Sequence, residues 1–130
     1  MFNEIKSSKD IQKFFEKTNW LHDGYIIGVQ YTHDGISRKN GGHSFDYKQT
    51  KLVVKILVTS LWDAVVELEF KGICEWQIKD RCWDMTDTTI LLDVQNCVLW
   101  LDDIYIDMEY TQKGSYVLAD SMRWRMEESK

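Results

Sequence analysis

A chain of 130 residues, 44% apolar and 28% charged, has the length and balance of one globular domain with its own core. Its net charge of −5 argues against a nucleic-acid binder, which needs a basic face to neutralise phosphates. No run approaches the roughly 18 apolar residues of a membrane helix.

The start, Met1-Phe2-Asn3-Glu4-Ile5-Lys6, has an acidic residue where a signal peptide carries cations, and no apolar segment follows. The expectation is a cytoplasmic protein with no membrane association. Cys74, Cys82 and Cys97 are an odd number at wide spacing without C-x-x-C, which reads as buried free thiols, not a disulfide framework. Six tryptophans and no proline are unusual, and most of the tryptophans are expected in the core.

Residues 7 to 18 form the one clear helical pattern. Ser7-x-x-Asp10 is a capping-box-like start, and Ile11, Phe14, Phe15 and Thr18 recur at helical spacing along one face. From Tyr25 the period becomes two, and Tyr25, Ile27, Val29 and Tyr31 are expected to share a face of a half-buried strand. Residues 33 to 50 are polar and glycine-bearing, and too long for a structureless loop unless mobile or folded as a small hairpin. Residues 51 to 59 alternate again, with Leu52, Val54, Ile56 and Val58 on one side, and Ser60-Leu61-Trp62-Asp63 is a turn.

Val66, Leu68 and Phe70, then Cys74, Trp76 and Ile78, keep one parity through a long strand expected to bend at Gly72. Residues 80 to 88 read as a loop. Short apolar runs at 90–94 and 98–101 are expected as strands. A last hairpin is predicted between 104–110 and 116–126, with Tyr116, Leu118, Met122, Trp124 and Met126 on one face. The fold class is therefore α+β and β-rich: a single domain with one N-terminal helix on a twisted antiparallel sheet of about six strands, curled toward a half-barrel, one sheet face wet.

The candidate chemistry is sparse. His22-Asp23 sits where the helix exit meets a strand. HD-type phosphohydrolases place several His and Asp ligands on separate helices, which this chain lacks. The pair reads as a structural corner, with the Asp23 carboxylate accepting backbone N–H bonds. His22, His33 and His43 match no ligand spacing, so no metal and no cofactor is expected. Cys82 has basic neighbours but no partner motif for a nucleophile. Asp102 and Asp103, adjacent on the chain, point apart and read as a solvated turn. No catalytic residue is identified, and Trp62-Asp63 and Trp83-Asp84 lack propeller spacing.

Leu21-His22-Asp23-Gly24-Tyr25-Ile26 and Leu68-Glu69-Phe70-Lys71-Gly72-Ile73 resemble a group of small bacterial proteins. Their pattern is an aromatic or apolar residue, His-Asp, an alternating strand, and later a Phe-x-Gly-Val/Ile-like segment. The group includes immunity proteins of polymorphic toxin systems. The resemblance covers residues 20 to 32 and 64 to 78, and implies a non-catalytic binding protein that neutralises a toxin by contact. The expected partner is then a protein, a basic toxin domain, met by an acidic and aromatic surface: Trp83, Asp84 and Asp87 with Asp102 and Asp103. The alternatives are a small-ligand binder or hydrolase at the His22/Asp23 corner, or a structural accessory protein.

Overall fold

The computed structural model of the chain describes residues 1–33, 36–37, 44–79, 84–103 and 114–127. In chain order they form β1 (Asn3–Glu4), α1 (Ser8–Thr18), β2 (Gly24–His33), β3 (Ile36–Ser37), β4 (Ser44–Phe45), β5 (Thr50–Val58), β6 (Ala64–Gln77), β7 (Thr89–Val94), β8 (Cys97–Leu101) and β9 (Tyr116–Met126). The architecture is α+β and β-rich, one helix on a seven-stranded antiparallel sheet of order β2-β5-β6-β9-β8-β7. The seventh strand is β1, which pairs with the far end of β9 at Trp124 and Arg123, while β8 pairs with its beginning at 116–119. β3 and β4 make a separate two-stranded antiparallel ribbon, in keeping with the hairpin that is one of the two alternatives for residues 33–50. The predicted strand at 104–110 and its turn lie outside the described residues, apart from the turn's last two. Among the described residues, no helix is long and apolar enough to cross a membrane.

The helix forms as its sequence dictates. Ser7 caps it through the Asp10 N–H, and the Asp10 carboxylate accepts from the backbone of Lys6 and Ser7, which holds its pKa below the usual value. The amphipathic face then seats Phe14 edge-to-face on Trp124 of β9, ring centres 5.2 Å apart. Thr18 turns its hydroxyl back to the Phe14 carbonyl at 2.7 Å, and Asn19 ends the helix in the left-handed region.

Leu52, Val54, Ile56 and Val58 of β5 and Val66, Leu68 and Phe70 of β6 are fully buried on the helix side, as their alternation predicts. The parity fails where the strands bulge. In β2 a register shift between Ile26 and Gly28 splits the expected stripe. Tyr25 lies opposite Leu57, whereas Val29 and Tyr31 lie opposite the core residues Val54 and Leu52. At Gly72, with φ +69, the core face steps by three residues, Phe70 to Ile73 on β6 and Met122 to Ala119 on β9. Ile73 thus takes the place expected for Cys74. On β9, Val117 and Ala119 enter the core in place of Tyr116 and Leu118. The strand is long and bent at Gly72, as expected, but its faces are not continuous.

Tyr31 of β2 stacks on Trp76 near the end of β6, centres 5.6 Å apart, although β5 lies between those strands in the sheet. Such contact across a concave face requires a strong curl. The sheet stays open, with β2 and β7 as its edges.

The expectation of one wet face holds only in part. Near β8 the outer face is buried too, by Leu99, Leu101 and Tyr116 with Val94 and Leu118. Elsewhere the outer face carries paired charges. Glu67 and Glu69 of β6 are only 6% and 3% exposed. Arg125 bonds Glu67 at 3.0 Å, and Glu69 is held by Arg123 and by Lys51 at 3.4 Å. Both guanidinium groups also lie over the Phe2 ring, at 3.9 and 4.4 Å. Buried carboxylates need such partners, since an uncompensated charge there is costly.

Burial alone would raise the Glu69 pKa, but Arg123 and Lys51 outweigh it and hold the carboxyl below its ordinary 4.5. A carboxylate depressed in the fold contributes stability above its unfolded pKa and loses it as pH falls through the folded one. Urea unfolding followed from about pH 6 to about pH 3 is therefore expected to show stability falling below about pH 4.5. Glu69→Gln should be less stable at pH 6 and show a shallower acid loss. An unchanged acid slope in the variant would remove Glu69 from this role.

Candidate functional site

The exit of α1 and the β5–β6 turn meet at one corner of the sheet. Asn19, Trp20 and Leu21 follow one another in the left-handed region at φ 54, 56 and 49, and Asp23 returns to it at φ 59. Across the corner, Trp62 and Asp63 are left-handed as well, at φ 55 and 57. Each such non-glycine residue costs on the order of 1 kcal/mol, so the surroundings must hold them. The holding is done by hydrogen bonds. Asn19 Nδ2 donates to Ser60 Oγ at 3.0 Å, and Ser60 Oγ donates to the His22 carbonyl. Thr59 donates its N–H at 3.3 Å and its hydroxyl at 2.9 Å to the Asp23 carbonyl.

A third segment closes the corner. The Asp23 N–H donates to the Met85 carbonyl and the Met85 N–H to the Gly24 carbonyl, both at 2.9 Å. Gly24 is needed here, because a Cβ would lie 2.7 Å from the Leu21 carbonyl oxygen and 3.0 Å from Ile56 Cγ2. Buried Thr88 anchors the same segment, donating to the Leu101 carbonyl at 2.8 Å and accepting from Trp100 Nε1 at 2.9 Å.

His22-Asp23 lies at this corner, where the sequence leads one to expect the Asp23 carboxylate to accept backbone N–H bonds. The backbone of residues 22–24 ties it, and the Asp23 carboxylate faces its neighbours' side chains instead. It lies 3.6 Å from His22 Nε2 and shares a hydrogen bond with the Asp84 carboxyl. That bond raises the pKa of Asp23 and lowers that of Asp84, with His22 favouring the charged form of both. Two neighbouring carboxyls beside an imidazole can transfer protons, or present concentrated negative charge to a cationic group. The cluster is open to solvent: the side chains of His22 and Asp23 are 51% and 42% exposed.

The remaining sequence-based sites scatter. Asp87 is exposed, three residues beyond Asp84. Asp102 is a correction: it is 2% exposed after β8, its N–H bonded to the Ser115 carbonyl at 3.1 Å, so it is no solvated partner surface. The fold places it under the start of β9, which adjacency in sequence could not indicate. Asp103 is half-buried beside it. Trp83, Cys82 and His43 lie outside the described residues. His22 precedes β2 and His33 is its last residue, about 30 Å away along an extended strand, so the two cannot share a metal.

The tryptophans require a second correction. Trp100 and Trp124 are buried, but Trp20 is 49% and Trp62 96% exposed, and Trp76 is exposed at the end of β6. Trp62 was missed because a turn tryptophan carries no periodicity. Its one signal is its place in Ser60-Leu61-Trp62-Asp63, between two buried strands. The cysteines also differ from expectation, for Cys97 is buried but Cys74 is exposed.

No protein-family model matches the chain, and no curated protein or solved structure shows significant similarity to it.

In a carbon-13 NMR titration, Asp23 is expected to titrate above and Asp84 below the ordinary aspartate value of 3.8, as two steps of one pair. Asp84→Asn should bring the Asp23 midpoint down. Two unshifted, independent midpoints in the native chain would show that no proton is shared.

Proposed function

We propose that the protein is a non-catalytic binding protein of the cytoplasm, most specifically an immunity-type inhibitor that neutralises a toxin by protein–protein contact. The observation that carries the binding reading is Trp62. A tryptophan ring 96% exposed on a left-handed turn gains nothing from the fold that holds it. Tryptophan is the residue type most enriched at the energetic centre of interfaces. Beside it, the same turn's Thr59 and Ser60 hold the corner that displays Asp23 and Asp84, with Asp87 further along. An aromatic anchor flanked by carboxylates suits a basic partner surface, and the net charge of −5 favours its approach. The immunity-type reading rests on the resemblance at Leu21–Ile26 and Leu68–Ile73.

One observation favours a second reading. The Asp23 and Asp84 carboxyls interact beside the His22 imidazole and are pushed apart in pKa, an arrangement that hydrolases use for acid–base work, so a small-ligand or hydrolytic site at this corner is the alternative.

The test uses a partner captured from the host, identified and purified. Trp62→Ala is expected to weaken its binding about 30-fold, the loss typical of a hot spot. Asp84→Lys with Asp87→Lys should slow association at low salt, with the difference shrinking as ionic strength rises. Binding untouched by both variants would overturn this surface. A hydrolytic activity abolished by Asp23→Asn but indifferent to Trp62→Ala would establish the second reading.

A further inference from the structure

We infer that Cys74, Cys97 and Asp120 form a three-ligand site for a thiophilic divalent cation of the zinc type. Their ligand atoms all lie within 4.8 Å of one another. Cys74 Sγ and Cys97 Sγ are 3.6 Å apart, and Cys97 Sγ is 3.8 Å from Asp120 Oδ1. A tetrahedral zinc ion with Zn–S near 2.3 Å and Zn–O near 2.0 Å sets its sulfurs about 3.8 Å apart, and sulfur and oxygen about 3.5 Å apart. Two of the three edges agree within about 0.3 Å, and the third, from Cys74 to Asp120, is within 4.8 Å, so ligation asks for rotation of these exposed side chains and no movement of the strands.

Three separate features of the sheet bring these atoms together. The register shift between Ile73 and Glu75 leaves Cys74 as the extra residue of a bulge, aimed off the ladder. Gly72 gives Asp120 its place, because a Cβ at position 72 would overlap that carboxylate. Cys97 opens β8 directly after the left-handed pair Gln95-Asn96. Asp120 itself lies on β9 just past the residues paired with β8 and short of those paired with β1.

A supporting outer contact and an adjoining cavity complete the case. The Tyr47 hydroxyl donates to Asp120 Oδ1 at 3.5 Å, the kind of bond that orients a ligating carboxylate. A cavity of about 220 Å³, lined by Glu4, Lys6, Asp93 and Asn96 among others, opens beside Cys97 and Asp120. It has room for water as a fourth ligand, the pattern of a zinc site that stays accessible.

The competing fate of two neighbouring thiols is a disulfide, which requires the sulfurs to close to about 2.0 Å. A bound dication would supply the positive charge that stabilises the thiolates. The proposal and the histidine-based expectation of no metal predict opposite results.

The test is cobalt(II) titration of the full chain, reduced and freed of metal by a chelator, under anaerobic conditions. One equivalent is expected to give a thiolate-to-cobalt charge-transfer band in the near ultraviolet, and zinc(II) should abolish it by displacement. Cys82→Ser should keep the band. Cys74→Ser, an exposed change that the fold tolerates, should weaken binding strongly and reduce the band, as should Cys97→Ser. Tyr47→Phe should weaken cobalt binding about tenfold, as loss of an outer-shell partner does. No thiolate band in the native chain, or an undiminished one in Cys74→Ser, would overturn the site.

Discussion

Gly72 and its neighbours on the β6–β9 ladder decide where side chains point over much of the sheet. This is the longest pairing in the fold, running from Val66–Met126 to Gln77–Tyr116. At its middle the backbone of Gly72 turns to φ +69, which a side chain resists and which the nearby Asp120 carboxylate would block. The three-residue step from Phe70 to Ile73 hands the core from one set of residues to another. It lets the far end of β6 reach Tyr31 through Trp76, which curls the sheet. The bulge that follows sends Cys74 outward toward Cys97. Curl, core continuity and the thiol cluster thus share one cause, and a single side chain at position 72 would disturb all three.

The parts of the fold visible in the sequence are those set by local rules. The helix was legible because Ser7, Asp10 and the spacing of Ile11, Phe14 and Phe15 act within a few residues of one another. The strands were legible because burial on one face imposes a period of two over five or more residues, as in Leu52–Val58. What could not be read was the assignment of faces beyond a bulge. A shift of one residue inverts every later side chain; Gly28 marks the first bulge only as any strand glycine does, and nothing in the composition of Leu91–Val94 announces the second. The corner was half legible for the same reason. His22 and Asp23 are adjacent and conspicuous, but Asp84 reaches them only because Met85 bridges Gly24. Cys74, Cys97 and Asp120 come from three strands, and their meeting depends on a register no single segment contains.

The two candidate sites differ in what holds them. At the corner, Trp20, Leu21, Asp23, Trp62 and Asp63 occupy strained backbone while donors from Thr59 and Ser60 secure the carbonyls of Asp23 and His22, and Asn19 donates in turn to the Ser60 hydroxyl. Strain that is over-determined by such bonds gives a rigid display, and in the proposed binding role rigidity would lower the entropy lost on docking at Trp62. At the thiol cluster the proposed ligands are near-positioned by strands, with Cys74 and Asp120 exposed to solvent. A cation would spend part of its binding energy in ordering them. The first arrangement suits recognition of a large, preformed surface. The second suits a small ligand whose own charge completes the structure, tying β6, β8 and β9 together where β9 passes from one neighbour to the next.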